Sequence, residues 1–475
     1  MKNNTLMTSG VIWKEILFFS IPLILGNLFQ QLYNMVDSIV VGNVVGSDAL
    51  AAVGSSGSII QLLIGFCIGA SAGAGVVTSQ YYGAGNEEGV KKAVHTTIAI
   101  SIAAGLILSI IGVIASPWIL QIMETPEEVF DQADDYLKVY FAGIIFSVVY
   151  NMCAGILNAV GNSKRSLIYL IIAAISNIFL DILFVAVFKM GVIGAAVATD
   201  ISQLISCIFI LRFLRRSKEI YSIRFKDIRF HKGLLSRIIK LGLPTGIQNI
   251  VISLSNVVVQ SGINSFGATV MAAYAAFNKI DGFILLPILS INMAATTFAG
   301  QNYGAGQFDR IRSGMKVSIG MGTVYAIVAG AVMLVFGPYI IRIFTSEQAV
   351  IENGIYMMKY MYPFYWVIAI FHVSIGTIRG VGKTLAAMVM SVASLCAVRV
   401  AWIWITFQFV HKLNILLLGY PITWAIGAAM VFLYMKKSNW LKKPESAEWK
   451  YRFCMHWSQE PGKIWNISLR SSLLY

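Results

Sequence analysis

The chain has 475 residues, of which 57% are hydrophobic and 12% charged, and its formal net charge is +14. Soluble domains carry roughly 25% charged residues, so half that density over so long a chain excludes a soluble enzyme and a disordered protein and points to many membrane spans. The positive charge would suggest nucleic acid in a soluble protein, but here it sits in particular loops and no nucleic-acid partner is expected.

A span needs about 20 apolar residues. Stretches of that kind cover 16–40, 49–80, 93–117, 137–159, 166–188, 192–213, 238–264, 271–299, 315–337, 357–379, 385–410 and 415–435. The first follows a polar N-terminus and is long enough to span, so it reads as a helix and not a cleavable signal. The second and eighth are rich in glycine, and bends are expected there. The loop after the third span is acidic (Glu124, Glu127, Glu128, Asp131, Asp134, Asp135). All but seven of the 36 Lys and Arg fall on the other side, the exceptions being Lys138, Lys189, Lys279, Arg342, Lys359, Arg399 and Lys412. This excess puts both termini in the cytoplasm. Cys67, Cys153, Cys207 and Cys396 lie in apolar runs and Cys454 near the end, with no metal or disulfide spacing.

The two halves repeat. Pro22, Asn27 and Asn34 recur as Pro244, Asn249 and Asn256; after one residue drops out, Gly46, Gln80, Tyr82, Pro117, Gly155 and Gly161 recur as Gly267, Gln301, Tyr303, Pro338, Gly376 and Gly382. Six spans per half is an even number, so the repeats are parallel and related by an axis along the membrane normal. The expected fold is an all-α membrane protein, with twelve transmembrane helices in two six-helix bundles. Residues 1–213 form an N-lobe, 214–237 a basic cytoplasmic linker, 238–443 a C-lobe and 444–475 a cytoplasmic tail. The paired Gln-x-Tyr-Gly-Ala-Gly runs read as helix stops.

Four acids lie in spans: Asp37, Asp181, Asp200 and Asp281. Each costs about 2.5–3.5 kcal/mol at mid-helix, so each marks a candidate site. Asn177 and Asp181, four apart, share a helix face, and Thr199 lies in the next span. If the first, fifth and sixth helices meet, Asp37, Asn177, Asp181 and Thr199 form an oxygen-rich pocket for protons or for a Na⁺. The C-lobe keeps an amide stripe but places Val258 or Val259 opposite Asp37, and Val398 and Trp402 opposite Asn177 and Asp181, so the ion site is one-sided. Tyr33, Asn34, Asn256, Gln260, Asp281, Met293 and His372 are candidates for a substrate cavity. Asp281 has Lys279 two positions away; the two do not face each other on a helix and could meet only as an end-of-helix contact. Arg399 is expected to snorkel or pair. The run Gly380-Val381-Gly382-Lys383-Thr384 is not a phosphate loop, because position 377 is Thr377 and the segment follows an apolar helix.

Over about residues 10–438 the chain resembles the multidrug and toxic compound extrusion (MATE) transporters. The resemblance is carried by the twelve-span repeat, Ser20-Ile21-Pro22 with Asp37 downstream, the paired Gln-x-Tyr-Gly-Ala-Gly ends, Gly155 through Gly161, Arg379-Gly380-Val381-Gly382 and Tyr420-Pro421. Asp37, Asn177, Asp181 and Thr199 match the N-lobe cation site of the DinF/MepA-like branch. The acids that the NorM-like branch carries in the seventh and tenth helices are missing. The resemblance implies a non-enzymatic multidrug efflux antiporter in a bacterial-type plasma membrane, without a cofactor and acting as a monomer. It would exchange amphipathic or cationic drugs for H⁺ or Na⁺ by alternating access. The alternative within the same superfamily is a lipid-linked precursor flippase, which needs a strongly cationic cavity.

Overall fold

A computed structural model describes residues 6–441; the expected tail at 444–475 lies outside the described residues. Twelve helices long and apolar enough to span follow one another: α1 (Ile12–Val44), α2 (Ser47–Gly83), α3 (Glu87–Ile122), α4 (Glu127–Ala159), α5 (Ser163–Val187), α6 (Gly191–Arg216), α7 (Lys232–Asn264), α8 (Ala268–Gly304), α9 (Phe308–Ile341), α10 (Gln348–Gly380), α11 (Thr384–Phe409) and α12 (Leu413–Lys437). No strand occurs among the described residues. The helices outrun the apolar stretches because their polar ends continue past the hydrocarbon. The linker is accordingly shorter than the basic segment, with α6 reaching Arg216 and α7 starting at Lys232.

The repeat in sequence is a repeat in conformation. Gly46 and Gly267 open α2 and α8 with positive φ (125° and 92°), and Gly161 and Gly382 turn the chain into α5 and α11 at 83° and 91°. Only glycine takes such angles freely, so these pairs keep the same turns at matching places. In one lobe α4 packs on α2, α3 and α6 while α5 packs on α1; in the other α10 packs on α8, α9 and α12 while α11 packs on α7. The two central helices, α4 and α10, are the most buried. The peripheral α3 and α9 turn rows such as Ile107, Ile110, Ile111, Ile114 and Val324, Ile327, Val328, Val335 outward, as lipid-facing stripes do.

Helices α2 and α8 run unbroken from end to end. Their glycines serve close packing. Gly69 lies against the backbone of Thr245 and Gly246, and Gly73 against that of Gly242, so any Cβ there would strike α7. Interruptions fall elsewhere: α5 ends in a π turn at Ile182–Val187, α11 contains one at Ala393–Val398, and α10 passes through a 3₁₀ turn at Tyr362–Phe364, which contains Pro363. The lobes meet at the end that carries residues 6–11, the linker and the turns after α2 and α8. There Met7 N donates to Gln301 Oε1 at 2.7 Å, and Arg310 bonds the carbonyls of Met7 and Ser9. The linker lies on α3, with Arg224 N donating to His95 Nε2 at 3.1 Å.

Candidate ion and substrate site

Helix α1 brings Asp37, α5 brings Asn177 and Asp181, and α6 brings Thr199. Packing of α1 on α5 and of α5 on α6 joins them. Asn177 Nδ2 donates to Thr199 Oγ1 at 3.4 Å. Asp181 is fully buried and Asn177 nearly so. Asp37 and Asp181 are close enough to act on each other electrostatically, and Tyr33 lies within reach of both. Four buried oxygens have no hydrogen-bond partner among the described residues: Asp37 Oδ1, Asn177 Oδ1, Asp181 Oδ1 and Asp181 Oδ2. Buried polar atoms are normally paired, so a group of orphans on two helices marks a candidate binding site. The donors are carboxylate, amide and hydroxyl oxygens, which suit a proton or a hard cation. The π turn begins at the residue after Asp181; such turns disturb the ladder and are frequent at functional sites.

Asp200, whose place in sequence left it either beside this pocket or toward a water-filled crevice, lies near two tyrosines of α4 that sequence reasoning missed. Tyr136 lies in the fields of Asp37, Asp181 and Asp200, and Tyr140 in those of Tyr33 and Asp200. Asp200 rests against Gly143 of α4, where a Cβ would fall on its carboxyl group. The signal was present, since Tyr136 and Tyr140 are four apart on one face, but which face meets α6 is a matter of packing.

The cavity candidates separate. Asn34 and Asn256 are exposed, Met293 is 38% exposed, and Gln260 is partly buried with its amide donating to Asn264 at 2.8 Å. His372 sits edge-on to Phe371 within reach of the Arg379 charge. Asp281 does not meet Lys279, which is exposed; its carboxylate accepts from the Tyr365 hydroxyl across the C-lobe. Arg399 does not snorkel. It is 5% exposed, donates to Asn256 Oδ1 at 3.5 Å and lies over the Tyr420 ring at 4.5 Å.

The Gln-x-Tyr-Gly-Ala-Gly runs do more than stop helices. Gln80 Nε2 donates to Gly380 O and Gln301 Nε2 to Ala159 O, each at 2.9 Å and each across the lobe boundary. Asn249 Nδ2 reaches Gly65 O at 2.8 Å, and the equivalent Asn27 reaches Ser290 Oγ at 3.4 Å. Part of the amide stripe therefore ties the lobes together.

The MatE family model matches the chain twice, over residues 22–183 and 244–405. The probable multidrug resistance protein YoeA of Bacillus subtilis (strain 168) is 31% identical over 445 residues, covering 91% of this chain and 95% of its own. The multidrug export protein MepA of Staphylococcus aureus (strain NCTC 8325 / PS 47) is 23% identical over 382 residues, covering 80% and 84%. An outward-facing conformation of a multidrug resistance MATE family transporter superposes with a TM-score of 0.86 at 23% identity, covering 92% of this chain and 97% of that one. A MOP superfamily transporter from Pyrococcus furiosus gives the same TM-score and identity, covering 92% and 98%; at that identity these two likenesses bear on the fold alone. The matched segments begin at the repeat-related Pro22 and Pro244, one in each six-helix lobe, and the chain belongs to the MATE family of membrane transporters.

Proposed function

We propose that this transporter exports amphipathic, cationic drugs in exchange for H⁺ or Na⁺, with Asp37, Asn177, Asp181 and Thr199 as the coupling site. One observation carries this reading: the four orphaned oxygens that α1 and α5 bury together. A cation held there competes with a cationic drug for the same negative charge. Proton entry neutralises the carboxylates and releases the drug; proton departure restores their grip. Na⁺ would take the same oxygens, with Thr199 and Asn177 completing its shell. Moving one charge across the membrane is worth about 2.3 kcal/mol per 100 mV. Exchanging a monovalent drug for a monovalent ion removes that cost and leaves the ion gradient as the driving force.

The basic linker end is assigned to the cytoplasm by the positive-inside rule. With that orientation, lobes joined through Gln80 and Gln301 close the inner side and leave the coupling site to the outer one. The flippase alternative asks for several bases around a diphosphate, whereas Lys279 lies exposed and leaves Arg399 as the buried base in mid-span.

The test is ethidium efflux from proteoliposomes under a pH gradient or a Na⁺ gradient, each imposed separately. Asp37→Asn and Asp181→Asn, well folded by size exclusion, are each expected to slow coupled export by at least about tenfold, a loss of about 1.4 kcal/mol or more. Export at the wild-type rate by either variant removes that carboxylate from the coupling role.

A further inference from the structure

The C-lobe holds a buried cation with too few partners. A guanidinium carries five N–H donors. Arg399 makes a single described hydrogen bond, to Asn256 at 3.5 Å, the long limit of such a bond. Its Nε is buried without a partner. No Asp or Glu among the described residues lies within ion-pair distance of it. Its flat face is covered by Tyr420, whose hydroxyl bonds that of Tyr274 at 2.7 Å. The other carboxylate of this region, Asp281, is taken by Tyr365. A buried charge normally has a counter-charge, and removing one from water without it is expensive.

The repeat places this group. Asn256 is the counterpart of Asn34 on α1, and Arg399 follows Val398, the counterpart of Asn177 on α5. Asn256 is exposed and lies two turns along α7 from Asn249, which bonds Gly65 of the N-lobe, so Arg399 lies directly behind a residue on the face turned toward the other lobe. One lobe thus offers carboxylates near the contact of α1 with α5, and the other a guanidinium near the corresponding contact of α7 with α11. We infer that Arg399, with Asn256 and the Tyr420 and Tyr274 hydroxyls around it, is a subsite for the carboxylate of a zwitterionic amphiphile whose cationic end faces Asp37 and Asp181. Arginine suits this role, since its planar fork binds a carboxylate through two parallel hydrogen bonds. The inference rests on the export reading for the cationic end and adds to it the substrate class that the C-lobe selects.

The probes are rhodamine B, a zwitterion at neutral pH, and its cationic ethyl ester, which share one ring system and differ in the carboxylate. Binding is read by fluorescence polarisation on detergent-solubilised full-length protein, and export in proteoliposomes. Wild type is expected to bind the acid more tightly than the ester. Arg399→Gln is expected to weaken the acid by about tenfold and the ester by less than about twofold, while Arg399→Lys recovers part of the loss. If Arg399→Gln does not fold, Asn256→Asp carries the test: a carboxylate placed at that exposed position occupies the guanidinium and weakens the acid selectively. The subsite is overturned if wild type fails to prefer the acid, or if the folded variants change both dyes alike or neither. Loss of ester export in wild type overturns the export reading instead, and the binding ratio in detergent still decides the subsite.

Discussion

Gln80 and Gln301 hold each other's lobes. They are repeat-related residues at the ends of α2 and α8, and each sends its amide nitrogen to a backbone carbonyl at the end of the opposite lobe's central helix, Gly380 for Gln80 and Ala159 for Gln301, both at 2.9 Å. Their amide oxygens are satisfied differently, by Arg237 at 2.5 Å and by Met7 N at 2.7 Å. The donor half of the contact follows the pseudo-two-fold and the acceptor half does not, because the N-terminal segment and the linker are not repeats of each other.

Loss of either latch is expected to open the linker end. Gln80→Ala or Gln301→Ala leaves buried groups unpaired at about 1–3 kcal/mol, a population shift of roughly 5- to 150-fold. Ser79→Cys, at a buried position packed against Gly300, reports it: its alkylation by a permeant maleimide should rise at least about fivefold in either background.

Close approach of α2 to α7 depends on Gly73. A Cβ there meets the Gly242 backbone, and neither side can yield without separating the helices. Gly73→Val is expected to abolish export while raising the same alkylation rate. Gly54→Ala, on the same helix with nothing near its Cβ position, should leave export unchanged and raise stability by about 0.4–1 kcal/mol, measured as the midpoint of thermal unfolding in detergent.

Tyr365 and Asp281 form a hydrogen-bonded pair linking α10 to α8. Tyr365→Phe strips the carboxylate of that donor and is expected to cost about 1–3 kcal/mol. Asp281→Asn in the Phe background should recover part of it, since a neutral amide loses less when unpaired. Thermal unfolding of the four proteins as a double-mutant cycle gives the coupling, and a value near zero would show that the pair does not hold α10 to α8.

The linker should respond to pH. His231 pairs with Thr96 Oγ1 at 2.9 Å and its Nε2 accepts from Arg229 at 3.4 Å. Burial first, then the Arg229, Lys92 and His95 charges, holds its pKa below the ordinary 6.5. The undocked linker therefore binds more protons, so docking strengthens with rising pH, is complete above about 6.5, and weakens as pH falls from there toward the lowered value. Hydrogen exchange of the peptide 217–231, corrected for intrinsic rates, should quicken relative to neutral pH between pH 6.5 and 5.5. His231→Gln, which cannot charge, should flatten that change.

Twelve apolar stretches, the paired glycines and prolines and the sidedness of the basic residues together fix the span count, the duplication and the parallel relation of the halves. Those features are local or periodic, and a bilayer leaves backbone groups no alternative to the helix. The convergence of Asp37 with Asp181 could be anticipated because a carboxylate inside a span is too costly to be incidental. Tertiary structure alone decided which helix faces meet. It brought Asp200, Tyr136 and Tyr140 to the same pocket, turned two helix stops into an interlobe latch, gave Asp281 to Tyr365 in place of Lys279, and buried Arg399 behind Asn256. Such partners lie on different helices and far apart in the chain. In helices apolar on nearly all sides, no periodicity marks the buried face, so only the packing of the bundle can choose it.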